Sequence, residues 1–97
     1  SQFQLEQERL QLKNKINAQR NEISSVAEQR EVIASLVKDY EIMLRSEERL
    51  FSYGESSFFL INTRENNLIS ARLQQINLEN RFFFSKADLF KILANPE

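Results

Sequence analysis

Apolar residues recur along the first half of the chain at Leu5, Leu12, Ile16, Ile23, Val26, Ile33, Val37, Tyr40, Leu44 and Phe51. A stripe that advances almost entirely by threes, fours and sevens stays on one side of an α-helix and marks a coiled-coil seam. The residues between are mainly Gln, Glu, Lys, Arg and Ala, all good helix formers. The spacing predicts one helix from about Phe3 to about Ser52, roughly 75 Å long at 1.5 Å per residue. A second stripe, Phe58, Ile61, Ile69, Leu73, Ile76, Phe83, Ala87 and Phe90, is interrupted by Glu65 and Arg72. It predicts a second helix from about Ser57 to about Leu93.

The two stripes test each other. In an antiparallel hairpin the numbers of facing residues have a constant sum. The pairs 51 with 58, 40 with 69, 33 with 76 and 26 with 83 share one sum, whose midpoint falls between Gly54 and Glu55. The same sum sets Gln19 beside Phe90. It leaves positions 3 to 13 without facing residues, so Phe3, Leu5, Leu10 and Leu12 lack partners and the first helix overhangs by about three turns. Turn chemistry agrees with this register. The chain has one Gly, Gly54, and one Pro, Pro96, where an average chain of this length carries roughly seven and five. Gly54 suits the left-handed residue that ends a helix. Ser56 or Ser57 can cap the next helix, without the Glu or Gln that would complete a capping box. Asn95-Pro96 is a stop signal. The predicted fold is all-α: one long antiparallel two-helix coiled-coil hairpin over residues 1–97, turning at residues 53–56.

Composition narrows the chemistry. The chain has no Cys and no His, which removes disulfides, thiolate chemistry and the commonest metal ligand. The net charge is −1 with both signs interspersed, which is no nucleic-acid footprint. The longest apolar run is Phe58-Phe59-Leu60-Ile61, far short of the ~20 residues a spanning helix needs. The sequence starts at Ser1 without Met, as an excerpt or processed form would. Phosphate loops, nucleophile elbows and metal-ligand spacings are absent. No catalytic residue, cofactor or metal is expected. Glu47-Glu48 and Asp39-Glu41, among Lys38, Arg45 and Arg49, read as a solvated charged face, with Glu41 and Arg45 placed to pair. Arg64-Glu65 reads as surface pairing.

Two features exceed what a lone hairpin needs. Successive helix residues point about 100° apart, so Phe82-Phe83-Phe84 cannot all meet one neighbour. The same holds for Phe58 to Ile61 and for Ile42-Met43-Leu44. Scattered surface apolar residues are common, but three such clusters favour burial on more than one side. Asn14, Asn17, Asn21, Asn62, Asn66, Asn67, Asn77, Asn80 and Gln74-Gln75 read as a plain helix surface, with an uncharged duct lining as the alternative.

The turn carries a resemblance. The stretch from Leu50 to Glu65, LFSYGESSFFLINTRE, resembles the periplasmic tip of TolC-type outer-membrane efflux proteins. These have an aromatic, a short gap, a Gly, a small or acidic residue, a Ser, and an apolar run leading into a helix. Asn67 to Ile76 continues in the same style. About 25 residues match well, and the rest matches only as long Gln- and Asn-rich helix. The resemblance implies one subunit of a trimeric tunnel across the periplasm, with barrel strands outside this chain. The matching tip residues, Tyr53, Gly54, Glu55 and Ser56, would then dock a periplasmic adaptor protein. The resemblance departs at Leu60-Ile61-Asn62-Thr63, where many family members carry an acid that narrows the tunnel, and this puts a charged constriction in doubt. The alternative is a coiled-coil interaction hairpin of a periplasmic adaptor or a scaffold.

Overall fold

A computed structural model describes residues 1–95. Helix α1 runs Gln2–Ser52 and helix α2 runs Phe58–Ala94. They lie antiparallel in a rod of 79 × 15 × 15 Å. Among the described residues there is no strand. The helices end within a residue or two of the positions read from the sequence. Of the stop signal, Asn95 caps α2, its N–H donating to the Lys91 carbonyl at 2.9 Å. Pro96 lies outside the described residues.

Along α1 the buried and half-buried positions are Leu12, Ile16, Gln19, Ile23, Val26, Arg30, Ile33, Val37, Tyr40, Leu44 and Glu47, with neighbours such as Glu22, Ala27, Leu36 and Glu41 at the margin. This is the stripe read from the sequence, with Gln19, Arg30 and Glu47 filling its gaps. The steps alternate strictly between four and three, which is the 3.5-residue repeat of a coiled coil. Val26 is fully buried. Ile33 and Val37 form the central cluster with Leu68 and Ala71 of α2, flanked by Leu36, Tyr40, Leu44 and Leu78.

On α2 the expected face is turned away. Ile69, Leu73, Ile76, Phe83 and Phe90 are 54–70% exposed. The inward positions are Ile61, Arg64, Leu68, Ala71, Gln75, Leu78, Phe82, Ser85, Leu89 and Ile92, again spaced strictly by three and four. The expected heights survive near the turn, where the Phe51 and Phe58 rings sit 4.8 Å apart. The error is a rotation of α2 by about 150°, one residue at Ile69, Ile76 and Phe83 and two at Leu73 and Ala87. Gln19 shows the consequence: it meets α2 through the Ser85 carbonyl, at 2.7 Å, and Phe90 faces outward. The physical reason is packing. The inward face sets small residues, Ala71 and Ser85, among Leu68, Leu78, Phe82 and Leu89, and places Arg64 against Glu47.

The overhang is present. Residues 1–11 are exposed throughout, including Phe3, Leu5 and Leu10, whereas Leu12 is half-buried and so belongs to the seam. Among the described residues four ion pairs, all between the two helices, flank or join the seam: Arg30–Glu79 at 2.7 Å, Arg64–Glu47 at 3.2 Å, Arg72–Glu41 at 3.1 Å and Arg81–Glu22 at 2.8 Å. Glu41 therefore pairs across the hairpin with Arg72 and not with Arg45, the partner expected from spacing.

The rotation of α2 has a measurable consequence. Val26→Ala should lower the hairpin's stability by about 2 kcal/mol, since it removes fully buried methyl groups. Phe83→Ala removes far more carbon but should stay within about 0.5 kcal/mol in dilute monomer, because the ring is exposed. Urea melts of the two variants would check this, and the reverse order would return Phe83 to the seam.

Candidate functional site

The tip is built from the end of α1, five connecting residues and the start of α2. Gly54 takes φ +76°, the left-handed conformation that side chains resist. Its N–H donates to the Phe51 carbonyl at 3.0 Å, and the Glu55 N–H donates to the Leu50 carbonyl at 2.9 Å. These two bonds form the Schellman ending and satisfy carbonyls that α1 leaves open. Ser57 caps α2, accepting from the Leu60 N–H at 3.2 Å.

Of the four expected tip residues, Tyr53, Gly54 and Glu55 are exposed, Tyr53 by 73%. Ser56 is half-buried and its hydroxyl donates inward to Glu47 Oε2 at 2.6 Å. Its side chain is thus an internal strut. Phe58 and Phe59 stand beside Tyr53 in the sequence of the tip and are each more than 70% exposed.

Glu47 corrects the expectation of a solvated charge run, which holds for Glu48 alone of that pair. The Glu47 residue is 6% exposed. One carboxylate oxygen accepts from Ser56 and the other from Arg64 Nε at 3.2 Å. One side chain of α1 therefore holds the turn and α2 together. The Ser56 hydrogen bond lowers the Glu47 pKa from its ordinary value; burial opposes this, and the Arg64 hydrogen bond and charge reinforce it. Arg64 is likewise an inward-facing partner here. A signal for both was available: Glu47 and Arg64 sit in phase with the two seams, at positions that are ordinarily apolar.

Among the described residues no cluster of acids could hold a metal, and every buried side-chain nitrogen or oxygen has a partner. No helix among the described residues is long and apolar enough to cross a membrane. The tip can present an exposed aromatic and acidic turn on a braced base. The chain matches no protein-family model, no curated protein and no solved structure.

Two outcomes are expected at the tip. A Cβ at Gly54 would meet nothing within 4 Å, so Gly54→Ala should cost only the conformational strain, about 1 kcal/mol in a thermal melt. The sign for Glu47 follows from its lowered pKa. Its contribution is fully present above the unfolded value of about 4.5 and is lost as pH falls through the lower folded value. Amide exchange at Gly54 and Glu55 should therefore be steady from neutral pH to that value, once corrected for intrinsic rates, and rise below it. Glu47→Gln should flatten this acid response, whereas Glu48→Gln should leave it intact.

Proposed function

We propose that this chain is the tip hairpin of an export-channel subunit of the TolC type. In this reading α1 and α2 stand as staves in the wall of a periplasmic tunnel, in a trimer completed by parts outside this chain. The turn meets a periplasmic adaptor. The hairpin performs no chemistry, and its work is passage and gating.

One observation carries the reading. The stripe turned outward on α2, Ile69, Leu73, Ile76, Asn80, Phe83, Ala87, Phe90 and Ala94, alternates strictly by four and three. It is a second coiled-coil seam, and a 3.5-residue repeat is matched by another helix. Its large members are more than half exposed in the isolated hairpin, which is more apolar surface than a thin monomer usually shows in one line. A wall of side-by-side helices requires two seams per helix. A free-standing adaptor or scaffold hairpin requires one, so the second seam favours the channel. The turn sequence Gly54-Glu55-Ser56-Ser57 and the exposed Tyr53 and Glu55 support the docking role.

Two sets of variants in the full-length subunit test this. Ile76→Glu with Phe83→Glu should dissolve the assembly, read by light scattering, while circular dichroism still reports a helical hairpin. An intact assembly would defeat the stave reading. Glu55→Lys and Tyr53→Ala should leave folding and assembly unchanged, because both side chains are exposed, yet abolish drug or metal resistance in cells. Full resistance with both would leave the turn as a simple connection between helices.

A further inference from the structure

The outer seam of α2 matches a second copy of itself. From Ile69 to Ala94 it steps by four and three over nearly four heptads, long enough for a coiled coil. Such a pattern reads alike in both directions, so two copies laid antiparallel can meet member against member. The register that engages all of it sets Ile69 on the partner's Ala94, Leu73 on the partner's Phe90, Ile76 on the partner's Ala87 and Asn80 on the partner's Phe83. Ala87 lies between Phe83 and Phe90 and leaves a hole for the partner's Ile76. An open groove of about 590 Å3 runs here, lined by Phe83, Ala87 and Phe90, with Glu79 and Lys86 at its edge.

Charge selects this register over its neighbours. Glu79 and Lys86 flank the seam on one side. In the full register Glu79 lies about 3 Å along the helices from the partner's Lys86, and the two-fold axis makes the contact twice. A slip of one heptad one way sets Glu79 against the partner's Glu79 and Arg72 against the partner's Lys86. A slip the other way sets Lys86 against the partner's Lys86. A parallel pair sets Lys86 against the partner's Lys91. Like charges meet in every alternative, which disfavours it.

Both groups are available. Among the described residues Lys86 has no ion pair, and its amine lies 5.0 Å from the centre of the Phe82 ring. Glu79 is held in place by two bonds from Arg30, at 2.7 and 3.0 Å, and its carboxylate has lone pairs to spare. We propose that the hairpin pairs with a second copy of this chain, α2 on α2, about a two-fold axis level with residues 81 and 82. The two Asn80 side chains then flank that axis, about 4.5 Å apart along the helices. The two tips point in opposite directions, with the Glu55 residues about 80 Å apart along the rod. This pairing is a property of the hairpin by itself and does not rest on the channel reading. A tunnel needs every tip at one end, so the dimer parts before the seam enters a wall.

The test uses the 97-residue chain and two charge reversals, Lys86→Glu and Glu79→Lys. Sedimentation should show a dimer for the natural chain. Each variant alone sets like charges on both flanks and should weaken the dimer on the order of tenfold, with an unchanged helical spectrum. An equal mixture of the two variants should restore it, because every flanking pair is again opposite. The chain has no cysteine, so Glu55→Cys and Asp88→Cys can each be labelled cleanly with a donor on one batch and an acceptor on another. Energy transfer should be strong at position 88, where the labels lie about 20 Å apart along the rod, and absent at position 55. A natural chain that stays monomeric, a mixture that fails to restore the dimer, or strong transfer between the tips would each overturn the proposal. None of these outcomes touches the assembly of the full-length subunit, which Ile76→Glu with Phe83→Glu tests separately.

Discussion

Two helices that touch along one line can each bury only one stripe, and that limit governs everything else in this molecule. The line is only as thick as two side chains, so no interior exists away from it. Among the described residues the buried apolar ones are few, and Val26, Ile33, Val37, Leu68 and Ala71 all lie on it. Closeness matters more than bulk here. Small residues at Ala71 and Ser85 bring the backbones together, and knobs of moderate size such as Val26 and Ile33 fill the holes between. Of the aromatic residues of α2, Phe82 joins this line, whereas Phe83 and Phe90 lie on the far side, in a second stripe of the same period.

That geometry explains what was legible in the sequence and what was not. The turn, the two helix lengths, the overhang and the α1 stripe follow from Gly54 and from apolar spacing, which a single-stripe helix expresses without ambiguity. The rotation of α2 does not follow, because α2 carries two in-phase stripes. Hydrophobicity alone selects the richer one, and the richer one is the outer. Choosing correctly would have required weighing side-chain size against the closeness of the backbones. At the tip, Glu47 and Arg64 were hidden by their charge. Reading charged residues as solvent-facing is sound for most positions, and it fails where seam phase sets two opposite charges against each other. Tyr53 and Glu55 were legible as turn residues. The inward bond of Ser56 depends on Glu47 and could not be seen without it.

The tip and the shaft are consequently held by different forces. From Val26 to Leu44 the seam is apolar apart from Arg30 and, on α2, Gln75, and its cohesion is mainly hydrophobic and non-directional. Beyond Leu44 the buried position belongs to Glu47, and cohesion passes to hydrogen bonds that are directional and tie the turn to both helices. A directional brace holds a turn in one shape, which suits a surface that must match a partner. The exposed members Tyr53 and Glu55 contribute nothing to that brace and are free to vary in contact.

Buried polar residues also settle register, which apolar contacts do poorly. Sliding α2 by one heptad would keep apolar facing apolar over most of the shaft, yet it would strip Glu47 of Arg64 and Ser56 and leave a buried carboxylate unpaired. Such a group is costly to bury alone, so the hairpin is pinned from the tip. At the other end Gln19 adds a second pin through the Ser85 carbonyl. The outer seam has no comparable ion pair. Its one internal polar member is Asn80, set between Ile76 and Phe83. A single Asn at a seam position specifies register and partner at some expense of stability. Were another helix to pack on this seam, a polar residue opposite Asn80 would fix its register at that level, as Glu47 and Arg64 fix the hairpin's own register at the tip.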